Sequence, residues 1–243
     1  MTRPESDADP AKLRVYGRRK GKPLKAARQA ALTNVLPRCR IDLPAAGEII
    51  NPKTLFAKPV RAVWFEVGFG AGEHLAAHAA RNPDIGIIGS EVFLNGVAGL
   101  ARRVGEENLS NVRIFDDDAR KILSVLPDAA ISRLFVMFPD PWPKVRHAKR
   151  RFISPDNLDL ISRVLADGAE LRVASDDAGY VRWSLMQLTR HPAFRWRVEG
   201  PDDWRKPPAD SVTTRYQQKA VNQGRKPVFL VFERRARVTR QGP

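Results

Sequence analysis

Short apolar runs alternate with longer segments of mixed polarity over most of the chain, and this alternation predicts the fold. Apolar runs with the length and composition of buried strands occur at 61–67, 85–90, 112–115, 134–138 and 170–174. The segments between them are long enough for helices of roughly ten residues. Strands that alternate with helices are typical of βαβ units, so the sequence predicts an α/β fold with a doubly wound, mostly parallel sheet.

The boundary residues of the intervening segments support their interpretation as helices. Near Ser154, for example, a serine suited to the N-cap precedes Pro155, which fits the first helical turn. Predicted helices cover 26–36, 73–82, 93–107, 119–125, 155–165, 177–190 and 214–222, and Pro37 is expected to end the first of them. A sixth strand at 194–198, a mobile loop at 200–213 and a last strand at 227–233 complete the prediction.

A glycine-rich turn follows the first predicted strand. Gly68, Gly70 and Gly72 allow the backbone to approach a ligand closely. The dinucleotide fingerprint would place its third glycine at 73, where this chain has Glu73, so an NAD-dependent oxidoreductase is disfavoured. Glu66, just before the turn, favours a cationic ligand because a pyrophosphate would face a like charge.

Acidic residues occur at or just after five successive predicted strands: Glu66, Glu91, Asp118, Asp140 and Asp176. Ligands of doubly wound sheets bind at the carboxyl ends of the strands, so these acids are expected to face one crevice. Glu91 lies where an acid that binds ribose hydroxyls is expected, and Asp118 could accept a hydrogen bond from an adenine amino group. Each acid could instead cap a helix. Together they favour S-adenosylmethionine, a cation with an adenosine and no phosphate.

The stretch from 134 to 151 combines an apolar strand, a rigid acid and a basic tail. Asp140 lies between two prolines in the sequence Phe-Pro-Asp-Pro-Trp-Pro, and proline restricts both its own backbone and that of its predecessor. An immobilised carboxyl group next to Trp142 suits a planar heteroaromatic substrate. The lysines and arginines that follow suit the phosphates of that substrate.

The charge of the chain points to a polyanionic partner. The 243 residues carry a formal net charge of +15, and the sequence pI is about 10.6. Residues 12–40 contain ten Lys or Arg and no acid, which favours an arm that contacts RNA over a merely solubilising tail. We therefore predict a basic, partly disordered arm at 1–40 and a single domain at 41–243.

Other classes of protein are disfavoured by the sequence. No apolar run approaches the roughly 20 residues of a membrane span, and the start of the chain is too acidic for a signal peptide. Cys39 is the single cysteine, which indicates a reducing compartment and hence the cytoplasm. His74 and His78 have helical spacing, but a zinc protease would need Glu where Leu75 stands, so no metal is expected.

Three motifs together resemble the bacterial tRNA (guanine-N7)-methyltransferase family. They are Glu-Val-Gly-Phe-Gly-Ala-Gly at 66–72, Phe-Pro-Asp-Pro-Trp-Pro-Lys at 138–144 with its basic tail, and Thr-Arg-Tyr-Gln at 214–217. The resemblance covers most of residues 15–234. It implies a Rossmann-like class I methyltransferase fold with seven strands and helices on both faces. It also implies methylation of a guanine in the tRNA variable loop, without a membrane or an obligatory protein partner.

The resemblance assigns roles to matching positions. Asp140 would be catalytic and would also lie on the cofactor side, with Glu66, Gly68, Gly70, Gly72, Glu91 and Asp118. The substrate would meet Lys144, Asp176, Thr214, Arg215, Tyr216 and Gln217, and the RNA would contact Arg146, His147, Lys149, Arg150 and Arg151. The family usually has Glu at the last position of the third motif, where this chain has Gln217.

Two alternative functions remain open at this point. The chain could methylate another RNA or a protein amine with the same cofactor, or it could bind RNA without catalysis. An amine must lose a proton before it is methylated, so its pH profile would differ from that of guanine N7. Cofactor binding would separate both enzymes from a non-catalytic protein.

Overall fold

The computed structural model describes residues 15–238, which form one twisted seven-stranded sheet with helices on both faces. The strands are β1 (Ala62–Val67), β2 (Ile85–Ser90), β3 (Val112–Phe115), β4 (Ile131–Met137), β5 (Leu165–Ser175), β6 (Phe194–Trp196) and β7 (Val228–Arg234). The helices are α1 (Ala26–Asn34), α2 (Leu36–Cys39), α3 (Glu73–Arg81), α4 (Leu94–Glu106), α5 (Ala119–Ser124), α6 (Pro155–Val164), α7 (Ala178–Arg190), α8 (Asp202–Arg205) and α9 (Arg215–Asn222). Two 3₁₀ helices lie at Pro52–Leu55 and Val145–Arg150.

The strand order β3-β2-β1-β4-β5-β7-β6 confirms the predicted doubly wound sheet. The first five strands are parallel, and β7 runs antiparallel to both β5 and β6. The chain moves outward from β1 through β2 to β3 and then returns to place β4 on the other side of β1. This reversal makes a topological switch point, where ligands of such sheets bind.

Burial on both faces of the sheet explains why the strands could be recognised as apolar runs. Along β1, Phe65 packs into the core on one face and Trp64 into the core on the other. All six residues of β2 are buried. Strands of parallel sheets are covered by helices on both sides, so they show continuous apolar runs instead of strict alternation.

Several predicted boundaries differ from the structure. Pro37 does not end α1; it lies in the first turn of α2, where its missing N–H costs nothing because first-turn amides have no partner within the helix. The strand β5 begins at Leu165 instead of 170, because it pairs with β4 through an irregular register at its start. The segment 200–213 contains α8, and the side chain of Asp210 bonds to Arg133 and Arg172 at 2.8 and 2.6 Å.

The predicted N-terminal arm is partly integrated into the fold. Residues 1–14 lie outside the described residues. Further along, Ala31, Leu36 and Cys39 are buried in the same core as Trp64, and Arg40 pairs with Ile114 of β3. The division at residue 40 stays a prediction, but the structure places α1 and α2 with the domain.

None of the helices within residues 15–238 could cross a membrane. The longest, α4 and α7, have 13 residues each, whereas a span needs about 20.

Helix α4 approaches the glycine turn so closely that one of its own residues must be glycine. A Cβ added to Gly96 would lie 2.4 Å from the backbone oxygen of Gly70, closer than real Cβ atoms come to a neighbour. We therefore expect Gly96→Ala to lower the free energy of unfolding by about 1–3 kcal/mol, because neither backbone can move without breaking the turn. Urea denaturation followed by circular dichroism measures the change.

Gly200→Ala is the matched control for this prediction. Gly200 has ordinary backbone angles, and an added Cβ would meet no atom within 4 Å. We expect its effect to stay within about 0.5 kcal/mol. Equal stability of the two variants would show that α4 and the turn are not tightly packed.

Candidate functional site

A crevice at the carboxyl ends of β1, β2 and β4 brings together most of the predicted site. In the turn after β1, Gly68, Gly70 and Gly72 have φ angles of 66°, 56° and 76°, in the left-handed region that glycine adopts without strain. The amide of Gly68 donates to the carbonyl of Ser90 at 2.8 Å, which fixes the turn to the end of β2. The predicted glycine turn is therefore present at the switch point.

Glu91 holds this turn in place. Its two carboxyl oxygens accept hydrogen bonds from the amides of Gly70 and Phe93, at 2.8 and 2.9 Å. The pKa of Glu91 is raised because burial disfavours the charged form, and the carboxyl group of Asp140 adds to the rise. Asp140 follows β4, and β4 and β2 are the two neighbours of β1 in the sheet. Each oxygen of Glu91 can still accept a ribose hydroxyl.

Glu66 lies deeper than the sequence suggested, at the start of a buried hydrogen-bonded series. It is only 2% exposed, and its Oε2 lies 2.7 Å from Nδ1 of His74. Nε2 of His74 lies 3.1 Å from Nε2 of His78. Both rings pack against Phe135, which excludes water from the series.

Burial also determines the proton positions in this series. The pKa of His78 falls to about 3, first because burial disfavours its charged form and then because of His74, Arg172 and Arg133; Asp210 opposes the fall. A neutral His78 can donate from Nε2 to His74, whose Nδ1 lies within hydrogen-bonding distance of Glu66. The two histidines at helical spacing thus orient an acid beside the glycine turn.

Asp118 acts as a helix cap in this structure. Its Oδ1 accepts from the amide of Arg120 at 2.9 Å, at the N-terminus of α5, and its carboxyl group pairs with the Arg120 side chain at 2.5 Å. The sequence left both a cap and an adenine contact open. The cap is observed, while the adenine contact stays a prediction.

The turn after β4 presents Asp140 in a strained backbone. Phe138 and Trp142 have φ angles of 50° and 43°, unusual for residues other than glycine. Such conformations cost roughly 1 kcal/mol or more each and need support from their surroundings. The amide of Phe138 bonds to Ala174 at 2.8 Å, and the exposed Asp140 lies between the two strained residues.

Arg151 provides further support for the turn, and its predicted contact with RNA stays a prediction. It donates to the carbonyls of Pro141 and Trp142 at 3.0 and 3.2 Å, and its guanidinium stacks over Trp183 at 5.0 Å. A guanidinium engaged on two carbonyls and a ring serves to rigidify the segment that carries Asp140. The sequence of the basic tail does not indicate that Arg151 bonds to backbone carbonyls while Arg146 is exposed.

The rest of the basic tail divides into exposed and packed residues. Lys144, Arg146 and Lys149 are exposed along the 3₁₀ helix. The imidazole of His147 packs against Trp142, with 5.8 Å between the ring centres. Cζ of Arg150 lies 4.8 Å from the centre of the same indole ring. Nε of Arg150 is enclosed and makes no hydrogen bond with the part of the chain that the structure describes.

The 214–217 segment, which was expected to meet the substrate, lies over the glycine turn. The Thr214 hydroxyl accepts from the amide of Gln217 at 3.2 Å, so Thr214 caps α9. The amide of Arg215 donates to Glu73 at 2.8 Å, and its side chain pairs with the same carboxyl group. A Cβ on Gly70 would lie 3.5 Å from the ring of Tyr216.

These contacts separate the predicted substrate residues by role. Thr214 is buried as a cap and Arg215 is paired, whereas the side chain of Tyr216 is 64% exposed. The side chain of Gln217 makes no hydrogen bond within residues 15–238. Asp176 is paired with Arg225 at 2.5 Å, so a substrate would have to displace that arginine.

A segment that sequence reasoning treated only as charge also reaches the crevice. We call residues 16–22 the N-terminal strap. Arg19 pairs with Asp117 at 3.1 Å, and its carbonyl accepts from Leu94 at 2.9 Å. Tyr16 lies 6.4 Å from Trp142 between ring centres. The sequence did contain an indication that this segment packs against the domain, because Tyr16, Gly17 and Gly21 interrupt the run of basic residues.

Comparisons with known proteins agree with this arrangement. A family model described as "Putative methyltransferase" matches residues 60–230. The chain is 54% identical to a tRNA (guanine-N(7)-)-methyltransferase of Rhodospirillum rubrum over 98% of this chain and 94% of that one. It is 51% identical to a protein of the same name from Paramagnetospirillum magneticum, over 92% and 94%.

A solved structure extends the likeness to the fold. The 16S rRNA methyltransferase KamB superimposes with a TM-score of 0.52 at 16% identity, over 73% of this chain and 89% of that one. At this level of identity the likeness shows the fold alone.

The depressed pKa of His78 predicts how stability depends on pH. The folded state keeps His78 neutral down to about pH 3, whereas the unfolded chain protonates it below about 6.5. The contribution is therefore fully present above pH 6.5 and is lost as the pH falls, by about 2 kcal/mol at pH 5. We expect His78→Gln to lower stability at pH 8 but to remove this part of the decline.

Urea unfolding of both proteins between about pH 8 and pH 5 tests the expectation. The difference between the two curves isolates His78 from the acids that titrate in both proteins. A difference in unfolding free energy that stays constant over this range would contradict a neutral, buried His78.

Proposed function

The chain belongs to the family of tRNA (guanine-N(7)-)-methyltransferases, and we propose that it transfers the methyl group of S-adenosylmethionine to N7 of a guanine in the tRNA variable loop. The observation that carries this function is the position of Asp140, rigid and exposed beside the Glu91-bound glycine turn and the basic tail. The relatives favour this activity over another RNA, a protein amine or RNA binding without catalysis.

The charges of the crevice and the open backbone at Gly68 suit S-adenosylmethionine. The position where a side chain would extend from Gly68 is open, with no atom within 4 Å, so the backbone there is free to meet a ligand. Glu91 offers carboxyl oxygens suited to the ribose, and Glu66 and Asp140 give this end of the sheet the negative character that a cation needs. When bound, the donor supplies an activated methyl group on a positively charged sulfur.

The acceptor atom determines what the protein residues must do. Guanine N7 has a lone pair and no proton, so no general base is required. The guanine gains positive charge as it is methylated, and a fixed carboxyl group near N7 lowers the energy of that charge. Asp140 meets this requirement because its turn is already rigid, so little reorganisation is needed during the reaction.

The aromatic residues next to Asp140 form a wall for the base. Trp142 packs against His147 and, more loosely, Tyr16. A base in the variable loop must leave its stack to reach Asp140, which costs a few kcal/mol. Contacts with aromatic rings and phosphates offset that cost. The exposed Lys144, Arg146 and Lys149 are the residues of the tail best placed for phosphates.

The relatives also support tRNA as partner, and we expect the protein to act in the cytoplasm. The thiol of Cys39 is buried, and burial raises its pKa to about 11, so the thiol is unreactive.

Asp140→Asn tests the catalytic proposal with almost no change in shape. We expect kcat to fall at least about 100-fold, because the charge next to N7 is lost. Affinity for tRNA should stay within about twofold, since removing an acid from a basic surface does not weaken RNA binding. Turnover is measured with unmodified tRNA and labelled S-adenosylmethionine, and cleavage specific for N7-methylguanine maps the product.

Wild-type protein that labels tRNA elsewhere, or not at all, would overturn the proposed function. Near-normal turnover of the Asn variant would remove Asp140 from the catalytic role and leave the activity itself standing.

Gln217 tests how the guanine edge is held. Guanine presents N–H donors at N1 and N2 that a carboxylate accepts together, whereas an amide has one acceptor oxygen. We expect Gln217→Glu to keep or raise kcat/KM and Gln217→Ala to lower it, though less than Asp140→Asn does. The matched control is Gln218→Ala, because Gln218 lies next along α9 and its side chain donates to Asn222 at 2.8 Å, within the same helix. If both Gln217 variants behave like the control, residue 217 does not touch the base.

A further inference from the structure

A polar cavity of about 240 Å³ lies behind the glycine turn, where α1, α3, α4 and α9 meet. The side chains that matter in its lining are Arg28, Arg102, Arg103, Arg215 and Glu73. Ala71 of the turn forms part of its wall. Arg102 and Arg103 were not predicted from the sequence to contact RNA, whereas Arg28 lies in the basic arm and Arg215 was expected to meet the substrate. The four arginines come from three separate helices.

The side chains that line the cavity carry more positive than negative charge. Four arginines face one glutamate, and that glutamate is already paired with Arg215. The side chains are partly open to solvent, with Arg102 38%, Arg103 32% and Arg215 69% exposed, so a ligand can reach them. The charge therefore selects an anion.

The arginines have donors to spare. Arg102 and Arg103 bond to Glu106 and Glu107 at 2.9 and 3.0 Å, in each case through Nη1. The side chain of Arg28 makes no hydrogen bond or ion pair with another residue in the range 15–238. Exposed pairs within one helix contribute little energy, so these arginines can turn toward a ligand at small cost.

The size and lining fit a phosphate group. Planar guanidinium groups bind phosphate oxygens with two parallel hydrogen bonds, and several can share one phosphate. A volume of about 240 Å³ holds a phosphate together with a few waters. The polar lining does not suit an apolar ligand.

The position of the cavity indicates where the phosphate comes from. Ala71 follows Gly70, which bonds to Glu91, and the turn that contains both glycine and alanine follows β1, the parallel neighbour of the strand β4 that leads to Asp140. Arg215 precedes Tyr216, which lies over Gly70. A polynucleotide whose base reaches Asp140 must continue across the adjoining surface, and this cavity is part of that surface.

We propose that the cavity binds a backbone phosphate of the tRNA, beyond the contacts of the 144–151 tail. The proposal rests on the proposed function, because tRNA is the polyanion concerned. The cavity would hold a nucleotide that flanks the target and so help to fix the register of the RNA against the crevice. Phosphate contacts of this kind position a nucleic acid without reading its sequence.

The double variant Arg28→Gln, Arg102→Gln tests the proposal in the full-length protein. For each phosphate that the protein no longer neutralises, the slope of log affinity against log salt should become shallower by about 0.7–0.9. We expect tRNA affinity at moderate salt to fall about tenfold and the slope to change by the equivalent of at least one phosphate. Affinity for S-adenosylmethionine and the thermal midpoint should stay at wild-type values.

Arg61→Gln is the matched control, because Arg61 is an exposed arginine with a single acidic partner, Asp84, at the opposite end of β1. A slope for the double variant equal to those of wild type and control would overturn the proposal. A second experiment measures the binding of inorganic phosphate to the protein, with and without saturating tRNA. If phosphate binds the cavity equally well in both cases, the site serves a free anion and the proposal is wrong.

These results are separable from the proposed function. Wild-type protein that forms N7-methylguanine in tRNA, together with an unchanged slope in the double variant, would leave the activity standing and remove only the phosphate site. Wild-type protein that binds tRNA without forming N7-methylguanine would remove the activity, while the slope would still decide the phosphate site.

Discussion

The hydrogen bond from the Gly70 amide to Glu91 is the constraint on which the candidate site depends. It joins the turn after β1 to the residue after β2, and the other oxygen of Glu91 binds the start of α4. Once the turn is fixed in this way, Tyr216 can lie over it and Glu73 can receive Arg215. Three parts of the chain that are distant in sequence are thus positioned by one buried carboxyl group and a backbone that only glycine can adopt.

The sheet and the crevice could be predicted because their signals are local. Buried parallel strands are apolar throughout, and an acid or glycine directly after a strand must lie at its carboxyl end. The partners of side chains could not be predicted, because they depend on distant parts of the chain. The sequence does not tell that Arg151 bonds to Pro141 while Arg146 is exposed, or that Asp176 meets Arg225. The Thr214 cap did have a local signal, since Thr-x-x-Gln is a capping-box pattern.

Charges of opposite sign are separated across short distances in this protein. Acids occupy the floor of the crevice, where Glu66 is 2% exposed and burial raises the pKa of Glu91. Cations occupy its rim, in the strap, the 144–151 tail and the cavity near α1. A cationic donor and a polyanionic acceptor can therefore approach the same place and still meet opposite charges. The net charge of +15 is a sum over the whole chain, so it does not indicate that the floor of the crevice is acidic while its rim is basic.

The position of β7 has a consequence for synthesis of the chain on the ribosome. β7 is the last strand in sequence, yet it lies between β5 and β6 and pairs with β5 over six residues. Until residues 228–234 emerge, the nascent sheet ends at an open apolar edge of β5, which other chains could join. Translation through residue 234 is therefore required before the fold can close. Truncated chains should be prone to aggregate instead of forming a smaller enzyme.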